Sequence, residues 1–278
     1  MPPRILTWSI VIAWTAMTSW LFYHDLWPRL RPGDPPPFKI DFADEVLVKR
    51  PPVRWTVSRN GKATYVMKSE MTYDAELDQF EISSELSPRP SLPENAPLLE
   101  RITMKSVYIV TRDGDLRKFS ITTNVPIFGE VIMVKLNGEY RDDQLFSWVE
   151  IPASGIKKHW DPVKVVAKGN ALNPLQPMDR LPHVQPGREW NMTLSEPLID
   201  ALSGVVPGLK DNSVKQLHAQ VLADEFTLPF GSREETCYVI EYTAEDANGK
   251  TWVRTTDGLV LKQEFTLRDD DWVLLREP

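Results

Sequence analysis

The chain has 278 residues and a formal net charge of −7, with 24 prolines, 13 glycines and a single cysteine, Cys237. The length allows an anchor followed by one large domain or two small ones. The acidic balance and the lack of any run of Lys and Arg exclude a nucleic-acid-binding surface, since such surfaces neutralise phosphates with clustered basic side chains. One thiol excludes an intramolecular disulfide, so burial of apolar side chains must stabilise the fold.

The N-terminal residues predict a membrane anchor. Residues 5–23, ILTWSIVIAWTAMTSWLFY, form a run of 19 residues without a charge. A helix of that length, at about 1.5 Å per residue, just spans a hydrocarbon core of about 30 Å. Trp8, Trp20 and Trp27 lie towards its ends, where indole rings favour the headgroup zone. We predict a transmembrane anchor over residues 1–27, with a cleaved signal peptide and a buried soluble helix as the alternatives.

The orientation of the anchor is weakly determined, because Arg4 on one side balances Arg29 and Arg31 on the other. A short N-terminal tail is easily retained in the cytoplasm, so we expect the body on the extracytoplasmic, periplasmic side. Residues 28–37, PRLRPGDPPP, predict an extended Pro-rich spacer. The body is then expected over residues 38–278.

From Val53 onward, apolar and polar residues alternate with a period of two, which is typical of half-buried strands. Trp55 and Val57 alternate with Arg54 and Thr56, for example. Asn-Gly and Asp-Gly pairs favour tight hairpin turns, and they occur at residues 60–61, 113–114, 137–138, 248–249 and 257–258. The sequence therefore predicts an antiparallel meander.

The middle of the chain is less regular. Residues 151–187 are rich in proline and predict a long irregular connection. Pro197 to Ser203 predicts a short helix with Ser195 as its N-cap. Val214 to Glu225 predicts a strand, although its Leu and Ala residues also suit a helix. The meander at about 53–151 and the block at about 188–276 are compatible with two sheets of one domain.

The order of these features resembles a known group. Trp55 precedes Asn60-Gly61 by five residues. Pro186-Gly187 lies just before Trp190, and a hairpin follows from Gly249 through Glu264. This order resembles bacterial cell-envelope domains related to the lipoprotein-localisation (Lol-like) half-barrel group, including domains of unknown function.

The resemblance covers most of residues 53–276 and implies a curved antiparallel sheet around an apolar cavity. In that group helices often form a lid, whereas here a membrane anchor and few helices are predicted. The expected fold class is accordingly mainly β: a curved, half-barrel-like antiparallel meander with few short helices, preceded by one transmembrane helix.

Candidate chemical groups are few, and no cofactor or metal site is predicted. The histidines lack the spacing of a zinc site; they are His24, His159, His183 and His218. Cys237 begins a strand-like run and is expected to be a buried structural thiol. Ser154, His159 and Asp161 suggest a fragment of a catalytic triad, but there is no nucleophile elbow. The acidic pairs and triplets at 142–143 and 269–271 do not follow a calcium loop and are expected to be solvated turns.

Tryptophans are the remaining feature, with ten in the chain. Core packing is their default role. The alternative hypothesis is that four of them line an apolar binding site on the concave face: Trp55, Trp148, Trp190 and Trp252. Two functions follow. The body is a non-enzymatic interaction or scaffold module of the envelope, or it binds a lipid or another apolar ligand.

Overall fold

The computed structural model describes residues 14–15, 17–20, 52–93, 96–111, 116–127, 130–141, 144–164, 179–181, 183–194, 215–244, 247–267 and 270–278. Residues 14–15 and 17–20 are helical, with Trp14, Met17 and Trp20 exposed. Most of the predicted anchor, all of the spacer and the predicted helix at Pro197 to Ser203 lie outside these residues. No helix in the described part of the chain is both long and apolar enough to cross a membrane.

The body is one antiparallel sheet, as the alternating pattern predicts. Its strands are β1 Val53–Arg59, β2 Lys62–Asp74, β3 Gln79–Pro88, β4 Thr103–Thr111, β5 Leu116–Ile127, β6 Glu130–Arg141, β7 Gln144–Ile151, β8 Ile156–His159, β9 Val163–Lys164, β10 Glu189–Leu194, β11 Lys215–Phe230, β12 Arg233–Thr243, β13 Ala247–Arg254, β14 Val260–Leu267 and β15 Asp270–Arg276. Two short 3-10 turns, Leu98–Arg101 and Pro152–Ser154, accompany them.

The strands follow the order β10-β11-β12-β13-β14-β15-β1-β2-β3-β4-β5-β6-β7-β8, and β9 pairs with β7 off this path. Almost every neighbour in space is therefore a neighbour in sequence, as hairpins require. Two pairs are exceptions: β7 with β9, and the central pair, β15 with β1, which joins the two meanders. The sequence left two separate sheets open; the structure has one, because the last strand pairs with the first.

Cross-strand register places apolar side chains of neighbouring strands on one face of the sheet. Trp55 of β1 lies opposite Met67, Met67 opposite Leu86 and Leu86 opposite Met104. Directly opposed residues share a face in an antiparallel sheet. We call the face that carries Trp55 the apolar face, and the one that carries its neighbours Arg54 and Thr56 the polar face.

The apolar face of the C-terminal meander is densely packed. One cluster of buried side chains runs from β10 to β2 and includes Trp190, Ile240, Val253, Leu274 and Trp55. Leu181, from the segment before β10, also belongs to it. Further clusters on the N-terminal meander are smaller, and they are centred on Phe119 with Leu136 and on Phe80 with Val110.

Polar contacts at the β1–β2 turn stabilise the junction between the two meanders. Arg59 Nη2 lies 2.6 Å from Asp270 Oδ2, and Asn60 Nδ2 donates to Asp270 Oδ1 at 2.9 Å. The backbone N–H of Asp271 donates to Asn60 Oδ1 at 2.9 Å. The expectation of a solvated acidic turn at residues 269–271 is thus wrong for Asp270, whose carboxylate is held by the facing hairpin, whereas Asp271 is exposed and its carboxylate accepts from Thr266 Oγ1 at 2.7 Å.

The predicted turns are confirmed in part. Asn60 and Gly61 have positive φ angles of 50° and 76°, and Gly258 has a φ of 74°, so these pairs do form turns. Asn137-Gly138 and Asn248-Gly249 lie inside β6 and β13 instead. Residues 113–114 lie outside the described residues.

Gly138 has a packing role that explains its place in a strand. A Cβ at this position would overlap the ring of Phe119, which lies over the glycine from β5. A glycine that admits an aromatic ring from the next strand is a known device for packing sheets.

Two predictions for the middle of the chain have different outcomes. The strand predicted at Val214 to Glu225 is confirmed from Lys215 onward as part of β11, and Val214 lies outside the described residues. The connection over residues 151–187 is not wholly irregular: β8 and β9 lie within it, and Arg180 forms an isolated antiparallel bridge with Leu259. A backbone hydrogen bond between distant segments, Leu181 N–H to Gly258 O at 2.8 Å, accompanies this bridge, and no alternating pattern predicts it.

Candidate functional site

Two of the four tryptophans predicted to form a binding wall lie on the apolar face. Trp55 is 0% exposed and Trp190 is 3% exposed, and both belong to the large cluster of the C-terminal meander. Trp55 Nε1 donates to Ser69 Oγ at 3.2 Å, which satisfies the only polar atom of the ring. Both side chains are therefore surrounded by protein atoms.

Trp148 lies on the polar face. It is opposite Asn137 on one side and His159 on the other, whereas its neighbour Val149 is buried on the apolar face. The indole stacks on the His159 ring at 5.9 Å between centroids, and Lys157 Nζ lies 5.6 Å from its centre. Trp148 thus sits at the outer edge of the sheet, beside β8.

Trp252 also lies on the polar face, opposite Val239 and Lys262. Lys262 Nζ is 4.6 Å from the centre of the ring. The ring packs against a small cluster that contains Cys237, Leu261 and Phe230. Phe230 and Leu228 lie near the end of the β11–β12 hairpin and pack against the same cluster.

The four tryptophans are therefore divided between two faces and do not meet in one place. Their binding role stays a prediction. The sequence does contain a signal for the division: Leu145 and Val149 fix the buried parity of β7, and Thr251 and Val253 fix that of β13. Trp148 is out of phase with the first pair and Trp252 with the second, so each lies on the face opposite to the buried one.

The apolar face of the N-terminal meander differs from that of the C-terminal meander. Its side chains are a mixture of buried and partly buried groups. Those that are partly buried include Met71, Ile82, Met104, Tyr108 and Leu116. Burial raises the pKa of Tyr108 to about 12, so its hydroxyl stays neutral and lies among apolar groups. Among the described residues, no second layer of helix or sheet packs on this face.

The outer edge of this meander is formed by β8. All four of its residues are exposed, and within the described chain it pairs only with β7. Its side chains are Ile156, Lys157, Lys158 and His159. This short basic strand ends the strand path on one side, while β10 ends it on the other.

The groups considered for catalysis do not come together. Ser154 Oγ donates to Ile151 O at 3.1 Å, while His159 stacks on Trp148. His218 Nδ1 lies 3.0 Å from Asn191 Oδ1 on β10, at the other end of the sheet. His183 lies in a turn with a positive φ of 60°. The part of the chain that the structure describes contains no group of acidic, His and Cys side chains that could hold a metal ion.

Cys237 is fully buried in β12, as the sequence predicts. Burial first, and the nearby Glu235 carboxylate second, raise the pKa of its thiol to about 11. A thiol with so high a pKa is a poor nucleophile at neutral pH, because the thiolate is the reactive form.

An ionic cluster ties the segment before β10 to the β13–β14 turn. Arg254 donates two hydrogen bonds to the Asp257 carboxylate, each of 2.9 Å, and lies 3.3 Å from Glu235. Arg180 reaches the same carboxylate at 3.3 Å. The hydrogen bonds from Arg254 lower the pKa of Asp257. Every charge in this cluster has a partner, so its role is structural.

No protein-family model matches the chain, and neither a curated protein nor a solved structure is detectably similar to it. The class that the structure defines is an open, mainly β, antiparallel sheet protein. The likeness to the Lol-like group stays a prediction.

Proposed function

We propose that this chain is a membrane-anchored interaction module of the cell envelope that holds a protein partner near the membrane and catalyses no reaction. The observation that carries the proposal is the open sheet, whose strand path ends at β8 with no further strand in the described residues. A free ladder edge offers backbone donors and acceptors that an extended segment of a partner can use.

The anchor belongs to the same proposal. Residues 5–23 carry no charge, and Trp14, Met17 and Trp20 expose 69%, 71% and 63% of their surface in the described helical turns. Bare apolar side chains of that size on a helix are stable when lipid surrounds them. The body then lies on the periplasmic side, at the end of the Pro-rich spacer.

A half-barrel-like curvature is the finer part of the proposed fold. The strands from β10 to β2 would spread over roughly 34 Å in a flat sheet, at about 4.8 Å between neighbours. Trp190 on β10 and Trp55 on β1 are nevertheless 3% and 0% exposed, although no second sheet lies on this face in the described residues. Curvature that turns these strands towards one another accounts for this burial.

A second candidate function is the binding of a lipid or another apolar ligand. The observation in its favour is the N-terminal meander, where partly buried apolar side chains lie on a face that no second layer covers in the described chain. The cluster that runs from β10 to β2 argues the other way, since Trp55 and Trp190 within it are 0% and 3% exposed.

Native mass spectrometry of the full chain, released from membranes in mild detergent, separates the two candidates. A stoichiometric protein adduct that survives solvent extraction of lipid supports the interaction module. A stoichiometric lipid adduct on an otherwise bare chain replaces it with the second candidate. A bare chain with neither adduct contradicts both.

A further inference from the structure

The far end of the β5–β6 hairpin extends beyond the strands on either side of it. β4 pairs with β5 only as far as Asn124, and β7 pairs with β6 only up to Lys135. Residues 125–127 and 130–133, which we call the hairpin end, therefore pair only with each other among the described strands. At about 3.3 Å per residue, the hairpin end is about 10 Å long.

The hairpin end carries apolar side chains on both faces. Val131 and Met133, which are 66% and 37% exposed, lie on the polar face, where Pro126 is opposite Val131. Ile132 and Val125 are opposite each other on the apolar face, and both are partly buried. A strand with water on one face alternates apolar and polar residues, whereas a continuous apolar run is typical of a strand with apolar surroundings on both faces. The hairpin end thus has the pattern of a strand that is covered from two sides.

The surroundings that suit the hairpin end are those of a lipid layer. Between Lys118 and Lys135 the sequence contains one charged residue, Glu130. A flat protein surface that covers one apolar face of a hairpin leaves the other face in water. Lipid surrounds an inserted hairpin and removes the apolar side chains of both faces from water at once.

The backbone of the hairpin end limits the depth of insertion. Its outer edges have no neighbouring strand among the described residues, and hydrocarbon offers no partner to the N–H and C=O groups there. The boundary between headgroups and acyl chains does contain water, and interfacial segments enter it by about 5–10 Å. The length of the hairpin end matches this depth. The exposed Glu130 sets the same limit, because burying an unpaired carboxylate is costly.

The predicted anchor leaves the hairpin end free to reach a bilayer. The sheet begins at Val53, and β5 measures about 40 Å over its 12 residues. Residues 28–52, between the predicted anchor and the first strand, reach at most roughly 85 Å at about 3.4 Å each. This reach exceeds the length of the longest part of the meander, so the body can turn its hairpin end to the membrane that holds the anchor.

We propose that the end of the β5–β6 hairpin inserts into the headgroup boundary of a lipid bilayer, with Val131 and Met133 as its main apolar contacts. This second membrane contact goes beyond the proposed interaction function, because it determines how the body lies on the membrane and involves no protein partner. The contact is apolar and not electrostatic. The net charge of −7 and the carboxylate of Glu130 disfavour anionic lipid, so zwitterionic phosphatidylcholine is sufficient.

The test uses the full chain reconstituted in phosphatidylcholine vesicles, with a nitrobenzoxadiazole label on Val131→Cys or, as the control, on Leu77→Cys. Both positions are 66% exposed, and Leu77 lies in the β2–β3 turn. Cys237 is fully buried, so the reagent labels the introduced thiol. A nitroxide carried by phosphatidylcholine near the headgroup should quench the label at 131 at least about threefold more than the label at 77. Equal quenching at the two positions would overturn the proposal.

Variants of the chain labelled at position 131 identify the chemistry of the contact. Met133→Asp should lower the quenching at least about threefold, because it brings a charge to the lipid boundary. Leu275→Asp is the matched control, since Leu275 is 42% exposed on the same face and lies at the centre of the sheet. Glu130→Gln should increase the quenching, and added salt should not reduce it. Equal losses in Met133→Asp and Leu275→Asp, or a loss with salt, would contradict an apolar contact.

Flotation of the vesicles separates failure of the anchor from failure of the hairpin contact. A chain that floats with the vesicles but is not quenched at position 131 contradicts the hairpin contact alone, and the proposed interaction function stands. A chain that does not float contradicts the anchor and the hairpin contact together. A blue shift of the label at 131 that grows with the ratio of protein to lipid, without quenching by the nitroxide, would show that a second copy covers the hairpin end and would overturn the proposal.

Discussion

At the residue scale, tryptophans of the same chemistry have different surroundings, and these decide what each contributes. Trp55 is fully buried, donates to Ser69 and has the Arg276 guanidinium 5.7 Å from its ring centre. Trp148 lies partly buried at the sheet edge between Lys157 and His159. Of the two, only Trp55 is enclosed by the core.

We expect Trp55→Ala to lower the free energy of unfolding by about 3–5 kcal/mol, the usual cost of emptying a large core site. Trp148→Ala should cost less than about 1 kcal/mol, since a cation–π contact at an exposed site is worth about that much. Urea unfolding of the full chain in detergent, followed by circular dichroism, measures both. Equal losses would show that Trp148 is also part of the core.

The Asp257 carboxylate predicts a pH dependence of stability. Hydrogen bonds from Arg254, and then from the Leu259 N–H, lower its pKa in the folded state. The stabilisation is therefore complete above the unfolded pKa of about 3.9 and is lost as the pH falls through the lower folded value.

Asp257→Asn should cost about 1–3 kcal/mol at pH 7, the range for hydrogen bonds to charged groups. The difference from the native chain should shrink below about pH 4, where the native carboxyl also becomes neutral. Denaturant unfolding at several pH values measures it, with Asp224→Asn in the exposed part of β11 as the control. A difference that does not change with pH would contradict this account.

At the element scale, the sheet shows why hairpin signals need their neighbours to be interpreted. Asn60-Gly61 and Asn137-Gly138 are the same dipeptide between strand-like residues. The first is a turn with two positive φ angles, and the second continues a strand under the ring of Phe119. The alternating pattern identified strands and their buried sides well. It could not tell a turn glycine from a packing glycine, because the ring that needs the space comes from another strand.

Gly138→Ala tests this packing. The added methyl group would overlap Phe119, so we expect a loss of about 1–3 kcal/mol, typical of overpacking. Phe119→Leu in the same chain should recover part of that loss, because the smaller side chain leaves room for the methyl group. A double-mutant cycle by urea unfolding provides the control. Additive losses would mean that the ring and the glycine are not coupled.

The two short strands β8 and β9 show the same limit. The segment that contains them includes prolines, and β8 lacks a buried side on which alternation could be recognised, because all four of its side chains are exposed. An alternating sequence pattern indicates a strand with one buried face. An edge strand whose two faces are both exposed shows no such pattern. The edge proposed to bind a partner was therefore the part of the sheet least visible in the sequence.

At the scale of the whole molecule, the pairing of β15 with β1 makes two meanders into one sheet. Leu274 of β15 is 2% exposed and lies opposite Val57, while its neighbour Leu275 is 42% exposed on the polar face. No local signal predicts this pair, because residues that meet there, such as Asn60 and Asp271, are 211 positions apart.

Leu274→Asp should destabilise both meanders, because a buried unpaired charge at the junction breaks the pairing on which each depends. Leu275→Asp should have little effect. Hydrogen exchange followed by mass spectrometry of peptides from β1–β2 and β12–β13 measures the two sides separately. Loss of protection in the β12–β13 peptides alone would show that the N-terminal meander is stable by itself.

The same junction has a consequence for how the protein is made. The ribosome synthesises β1 before the other strands of the sheet and β15 after them, yet these two pair at the centre. At roughly 5–20 residues per second, the 211 positions between Asn60 and Asp271 take about 10–40 s to synthesise. During that interval one edge of β1 has no partner, and Trp55 is without its final cover. A growing chain with such an edge exposes a template for wrong pairing, so the nascent body is expected to depend on chaperones until its last strand is in place.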